Sequence, residues 1–285
     1  MVRIALPNKG RVYEPILELF ERAGLHIVDH SERSLFAKTV DDEISLLFAR
    51  ARDIPEYVEN GAADLGITGE DFIEESGAVV ETLLDLGIGR ADLVLAVPED
   101  SSIERLDQLE NKKIATEFPN ITKKFFGSNG VRVHVVEVSG ATEITPHIGV
   151  ADAIVDLTSS GTTLSINHLK VIAHVMRTSQ RLIANKESRA RMPTKMAEIT
   201  LALESVIEAR GKRYLMMNVP ASALEEVKKK LPGMSGPTVM RVESSSPMCA
   251  VHAVVHEMEI YKIINELKSV GARDILIVPI ERIVR

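Results

Sequence analysis

The chain has 285 residues, 45% apolar and 26% charged, which is ordinary globular usage for two or three domains. A net charge of −7 argues against broad nucleic-acid binding, the longest apolar runs are too short to span a membrane, and the N-terminus lacks the long apolar segment of a secretory signal. The lone cysteine, Cys249, excludes an intrachain disulfide and points to a reducing, cytoplasmic setting with the thiol in a core strand, and the lack of C-x-x-C or H-E-x-x-H argues against a dedicated zinc site.

The first two-thirds alternates short apolar runs with amphipathic segments. VRIAL (2–6) reads as a buried strand. Ile16, Leu17, Leu19 and Phe20 recur at near-helical spacing between Val12 and Ala23, with Gly24 as the cap. ISLLFA (44–49) is a strand. Asp53 starts a helix, with Pro55 in its first turn and Gly61 after its end. DLGIT (64–68) is a short strand and GEDFIEES (69–76) a short helix. LVLAVP (93–98), KIATE (113–117), VRVHVVEV (131–138) and ADAIVD (151–156) are further strands. Helical stretches separate them, from Pro119, around Glu143 and after Ser160. This βαβ rhythm predicts an α/β fold, and so many strands fit two lobes better than one sheet. The boundary falls near 90–92, and residues 169–188 carry the chain back to the first lobe.

A long helix over 189–210 comes next. The runs that follow over 213–285 read as β-α-β-β-α-β, a ferredoxin-like unit. Pro232 and Gly233 close its first helix and Gly271 its second. His252 and His256 stand four apart. On a helix they could share a metal, but their β-branched context predicts a strand, which separates them by roughly 13 Å. The run Lys228–Lys230 ends a helix, where cations suit the dipole.

The tract DAIVDLTSSGTTL (152–164) concentrates candidate chemistry. Its strand is expected to stop at Asp156, at the carboxyl edge of a sheet, where open α/β sheets place ligands. Thr158, Ser159 and Ser160 offer hydroxyls, and Gly161 can adopt backbone angles closed to other residues. Helix-forming residues resume at Thr163. Two readings fit: a cradle for a phosphate, or an ordinary Ser/Thr-capped helix start. Asp156, able to accept from ribose hydroxyls, tilts the choice toward the cradle. No G-K-[ST] follows, so this is not a Walker A loop. PNKGR (7–11) places Lys9 and Arg11 at another strand end, and Arg50 and Arg52 end a third. Glu143, just after a strand, is a candidate for substrate contact.

These motifs converge on one family. ALPNKGR, DIPEYVENGAADLGITGED, RADLVLAVP, KIATEFPNITKKFF, VSGATEITPHIGVADAIVDLTSSGTTL and LPGMSGPTV stand in the order of the ATP phosphoribosyltransferases. The chain resembles the long form of that family over nearly its whole length. The resemblance implies a two-lobed, periplasmic-binding-protein-like catalytic core with the active site in the cleft. Lobe I would be 1–91 with 180–211 and lobe II 92–179. An ACT-like regulatory domain would occupy 212–285. The implied reaction transfers phosphoribosyl from phosphoribosyl pyrophosphate to N1 of ATP, the first step of histidine biosynthesis. Asp156, Thr158, Ser159, Ser160, Gly161, Thr162 and Thr163 would hold the ribose and its 5′-phosphate. Lys9 and Arg50 would face the pyrophosphate, and Arg11 and Glu143 the ATP side, with Lys9, Arg50, Glu143 and Asp156 as the catalytic set. Mg²⁺ would be bound mainly through the pyrophosphate. Histidine would inhibit at the third domain, near Thr238. Copies would form dimers and hexamers, with no nucleic-acid or membrane partner. A non-enzymatic solute- or effector-binding protein is the rival reading, because NGAADLGITGEDFIEESG suits any bilobed binder.

Overall fold

The computed structural model describes residues 1–28, 34–231 and 236–285. Pro232 and Gly233, expected to close a helix, lie outside these. The chain divides into two units, Met1–Thr200 and Leu201–Arg285.

The first unit holds two sheets. It opens with β1 (Val2–Pro7), α1 (Tyr13–Arg22), β2 (Ile27–Val28), β3 (Phe36–Thr39) and β4 (Ile44–Ala49). Then come α2 (Ile54–Glu59), β5 (Leu65–Gly69), α3 (Glu70–Ser76) and β6 (Glu81–Asp85). The chain next crosses to β7 (Ala91–Pro98), β8 (Lys113–Thr116), α4 (Pro119–Ser128), β9 (His134–Glu137), β10 (Ala153–Thr158), α5 (Thr162–Ile166) and β11 (Leu169–Thr178). It returns through β12 (Gln180–Ala184). The seven-stranded sheet has the order β2-β3-β4-β1-β5-β12-β6, and the five-stranded sheet β11-β7-β10-β8-β9. We call these lobe I and lobe II. Their hydrophobic cores explain the apolar runs: Ile4, Leu46 and Leu65 are fully buried in one, and Leu93, Leu95 and Val155 in the other.

Two crossings join the lobes, residues 86–90 outward and Ser179 on the return. They are stitched together. The Leu86 N–H donates to the Gln180 carbonyl at 2.9 Å, and the Gln180 N–H to the Ile88 carbonyl at 2.9 Å. The Ser179 hydroxyl donates to Asp85 at 2.7 Å, and Arg181 pairs with both Glu70 and Asp85.

Several sequence expectations shift. The strand over 131–138 shrinks to β9, and the helix around Glu143 is a single 3₁₀ turn, Thr142–Ile144. The helix expected at Asp53 opens with a 3₁₀ turn, Ala51–Asp53, and the Asp53 side chain caps nothing. The single helix expected over 189–210 is two, α6 (Lys186–Arg191) and α7 (Pro193–Ala209). Pro193 explains the break, since proline starts a helix but cannot donate within one. Asn185 caps α6, accepting from the Ser188 N–H at 2.9 Å.

The second unit is a four-stranded antiparallel sheet under two helices. Its elements are β13 (Lys212–Pro220), α8 (Leu224–Lys230), β14 (Thr238–Val242), β15 (Met248–His256), α9 (Glu257–Ser269) and β16 (Arg273–Pro279). The strand order β14-β15-β13-β16 is that of a ferredoxin-like unit. Alternate residues of β13 and β15 (Leu215, Met217, Val219, Val251, Ala253 and Val255) face the helices. Cys249, expected in the core, is only half-buried, because it sits near the open start of β15.

Gly66 shows how tightly lobe I is packed. It pairs with Ala5 at the centre of the sheet, beneath α2. A Cβ there would lie 2.6 Å from Ile54 Cγ2 and 2.7 Å from Val58 Cγ2. Gly66→Ala is therefore expected to destabilise the chain by about 1–3 kcal/mol through overpacking. Urea unfolding of the variant within about 0.5 kcal/mol of wild type would contradict that, as surface-like tolerance has no place at this site.

Candidate functional site

Three strand ends carry the candidate residues. β1 and β4 run parallel with Pro7 opposite Ala49, so the chain leaves both strands side by side. The Asn8 N–H donates to the Ala49 carbonyl at 2.8 Å and ties the two exits together. Lys9 and Arg50 follow directly. Both are exposed, and neither side chain pairs with any described residue. Gly10, at φ +94°, supplies the left-handed turn between Lys9 and Arg11.

Arg11 serves the crossing instead. Its Nη2 donates to the Gly89 carbonyl at 3.4 Å, and its charge acts on Asp71. Asp71 is 3% exposed, at the start of α3. The Thr178 hydroxyl donates to its Oδ1 at 2.6 Å. Burial pushes the Asp71 carboxyl upward, opposed by Thr178, by nearby backbone N–H groups and by Arg11. Among the described residues no hydrogen bond or ion pair joins Arg11 to Glu143, with which it was grouped.

β10 does not stop at Asp156; it continues to Thr158. The reason is its two unequal neighbours. Parallel β8 pairs with it only as far as Val155, opposite Thr116. Antiparallel β7 continues, with Asp156 opposite Val94, Leu157 opposite Leu93 and Thr158 opposite Asp92. Asp156 is thus the first residue beyond the end of β8, and Glu117 is the residue just past that end. Asp156 Oδ1 accepts from the Leu157 N–H at 2.7 Å. Burial is the main force raising its carboxyl to about 6, opposed by that bond and reinforced by the charges of Glu143 and Glu117. Glu117 ends the strand read as KIATE, so the strand-end rule that selected Asp156 would also have found it. Asp71 offered no such signal, because its burial depends on Thr178, distant in sequence.

The loop after Thr158 closes on itself. The Gly161 N–H donates to Thr158 Oγ1 at 3.0 Å, and Ser160 Oγ and Thr162 Oγ1 share a hydrogen bond at 2.8 Å. Gly161 is the N-cap of α5 at φ +76°, with no side-chain cap. A Cβ on Gly161 would meet nothing within 4 Å, so the glycine answers to conformation, not crowding. Ser160 Oγ also accepts from the Thr162 N–H at 3.4 Å, so hydroxyls of the loop itself meet the first amides of α5. Ser159, Ser160, Thr162 and Thr163 are exposed, with hydroxyls at the mouth of the loop. A cavity of about 470 Å³ connects Ser159 to the crossing, past Arg90, Arg177, Arg181, Glu70 and Asp85.

The remaining candidate lies in the second unit. Thr238 is exposed on β14, opposite His252 of β15. His252 Nδ1 stands 2.9 Å from the Tyr214 hydroxyl. His252 and His256 both belong to β15, which sets them apart as a strand does.

Comparison with known proteins is consistent over the whole chain. A family model described as "ATP phosphoribosyltransferase" matches residues 50–205, and one described as "HisG, C-terminal domain" matches 209–282. A protein of Methanocella arvoryzae named ATP phosphoribosyltransferase is 76% identical over 285 residues, covering 100% of both chains. One of the same name from Methanosarcina barkeri is 61% identical, covering 99% of each. Among solved structures, the "ATP phosphoribosyl transferase (HisG:HisZ) complex from Thermotoga maritima" matches at a TM-score of 0.65 and 28% identity, covering 73% of this chain and 99% of that chain.

The position of Asp156 has a stability consequence. With its carboxyl raised from 3.8 to about 6, the folded chain keeps a proton there that the unfolded chain has released. Stability attributable to this group therefore falls as pH rises through that window, by up to about 3 kcal/mol at neutral pH. Asp156→Asn is expected to stabilise the fold at about pH 7.5 and to change it little near pH 4. Urea unfolding at both pH values checks this, and a variant less stable than wild type at pH 7.5 contradicts it.

Proposed function

This chain belongs to the ATP phosphoribosyltransferase family, and on that premise we propose how it works. It transfers the 5-phosphoribosyl group of phosphoribosyl pyrophosphate to N1 of ATP, giving phosphoribosyl-ATP and pyrophosphate, as the first step of histidine biosynthesis. The observation that carries this reading is the β10 exit: a half-buried carboxylate raised to about 6, followed at once by a self-closed loop of exposed Ser and Thr residues.

Asp156 accepts from the ribose hydroxyls. The hydroxyls and backbone N–H groups of Thr158 to Thr163 receive the 5′-phosphate. N1 of the adenine attacks the anomeric carbon as the carbon–oxygen bond to pyrophosphate breaks, and in-line attack inverts that carbon. Positive charge grows on the sugar, beside ionised Asp156. Negative charge grows on the leaving group, which Lys9 and Arg50 meet with side chains not engaged elsewhere among the described residues. Arg11 and Glu143 lie toward the ATP. Mg²⁺ would be held mainly through the oxygens of the pyrophosphate, where it would supply further neutralisation of the leaving group. The nucleophile belongs to the substrate, so acceleration comes mostly from positioning two polyanions.

The second unit binds histidine as feedback inhibitor around Thr238, and copies associate into dimers and hexamers, the hexamer being the inhibited form. The match of 209–282 to the family's C-terminal domain supports this regulatory reading.

The test is pyrophosphate release from ATP, phosphoribosyl pyrophosphate and Mg²⁺. Lys9→Ala or Arg50→Ala should lower kcat/KM for phosphoribosyl pyrophosphate roughly 10- to 100-fold, with melting unchanged because both residues are exposed. Wild-type kinetics in both variants would remove these residues from the site, and no turnover by the wild-type chain would favour a non-enzymatic binding protein. Thr238→Arg should raise the half-inhibitory histidine concentration about tenfold or more without altering uninhibited turnover. Undiminished inhibition would place the effector elsewhere.

A further inference from the structure

Helix α4 cannot cap itself. Its N-cap position is Phe118, which offers no side-chain acceptor, and its first turn opens with Pro119. The next two backbone donors point at lobe I. Glu75, on α3, receives the Asn120 N–H at 2.9 Å on Oε1 and 3.1 Å on Oε2, and the Ile121 N–H at 3.0 Å on Oε2. The contact is reciprocal: Asn120 Nδ2 donates to the Glu75 carbonyl at 2.9 Å. Phe72 and Phe118 pack beside it with ring centroids 5.7 Å apart. Phe118 is 1% exposed and belongs to the core of lobe II, so the ring contact reaches from one lobe into the other.

The clasp touches both halves of the proposed site. Glu117, whose charge acts on Asp156, directly precedes Phe118. Asp71, on which Arg11 acts, lies in the first turn of the same short helix that ends with Glu75 and Ser76. We propose that Glu75 is a positioning residue: by supplying from lobe I the cap that a lobe II helix lacks, it holds the cleft between the lobes in its closed, substrate-ready width. An opened cleft leaves the α4 amides without that carboxylate. The closed form is therefore favoured before any substrate binds, and substrate need not supply all of the closure itself. The neighbouring Lys124–Glu74 pair, at 3.1 Å between exposed side chains, adds little.

The catalytic part of this inference rests on the function proposed above, so the test has two independent arms on the full chain. The first is amide hydrogen exchange over residues 118–124 without substrate. Exchange should quicken about tenfold in Glu75→Ala, less in Glu75→Gln, which keeps one acceptor oxygen, and not at all in Glu74→Ala. The second is steady-state kinetics. Glu75→Ala should raise KM for phosphoribosyl pyrophosphate roughly 3- to 10-fold while kcat changes less than about twofold, because saturating substrate restores closure. Glu75→Gln should fall between Glu75→Ala and wild type. Unchanged exchange in Glu75→Ala overturns the clasp. Quickened exchange with unchanged KM, or with kcat and melting temperature falling together, overturns its positioning role. An inactive wild-type chain would overturn the function instead, and the exchange arm would still decide the clasp.

Discussion

The double crossing between lobes I and II is the constraint on which the rest of the first unit depends. Leu86 and Ile88 of the outward crossing exchange backbone hydrogen bonds with Gln180, next to the returning Ser179, which couples the two crossings. Arg181 bridges Glu70 and Asp85 at this point, and buried Asp71 holds Thr178 at the end of β11. A buried carboxylate bonded in this way is costly to leave unpaired, which keeps Thr178 against Asp71. Arg11 reaches the same place through Gly89. One end of the proposed site is thereby built into the joint between the lobes.

Charge is divided unevenly across the cleft residues of an acidic protein. The strand ends of lobe I carry Lys9, Arg50 and Arg52, and those of lobe II carry Glu117 and Asp156, with Glu143 nearby. For two polyanionic substrates this division has a plain use. In the proposed reaction, the cations would meet the leaving group's growing charge and the carboxylates the positive sugar. Burying Asp156 at the end of β10, with the charges of Glu143 and Glu117 acting on it as well, has its own cost, visible in its raised carboxyl. Binding sites commonly accept such a local penalty in return for a preformed geometry.

Most of the architecture was legible from local pattern. Buried strands announced themselves as VRIAL, ISLLFA and LVLAVP, and the change of rhythm after residue 211 matched a separate small sheet. The misplaced element ends share one cause. β10 outran its expected end because β7 continued to pair with it, β9 came out shorter than its apolar run, and Pro193 divided a helix whose pattern looked continuous. Element ends depend on partners that a one-dimensional pattern does not contain.

The sequence by itself determined which chemistry this protein could hold: hydroxyls around one glycine after a strand, cations after two others, and no reactive nucleophile set apart. Residue type and strand-end spacing suffice for that, and relatives 76% and 61% identical carry the same family name. Only the tertiary structure decided how those groups act on one another. The register of β10 against β8 brings Glu117 beside Asp156, and the return of the chain at Thr178 buries Asp71. The facing of α3 and α4 turns Glu75 into the cap of a distant helix. The physical reason is the same in each case. Proton affinity and capping depend on burial and on charges a few ångströms away, and those neighbours lie tens of residues off along the chain.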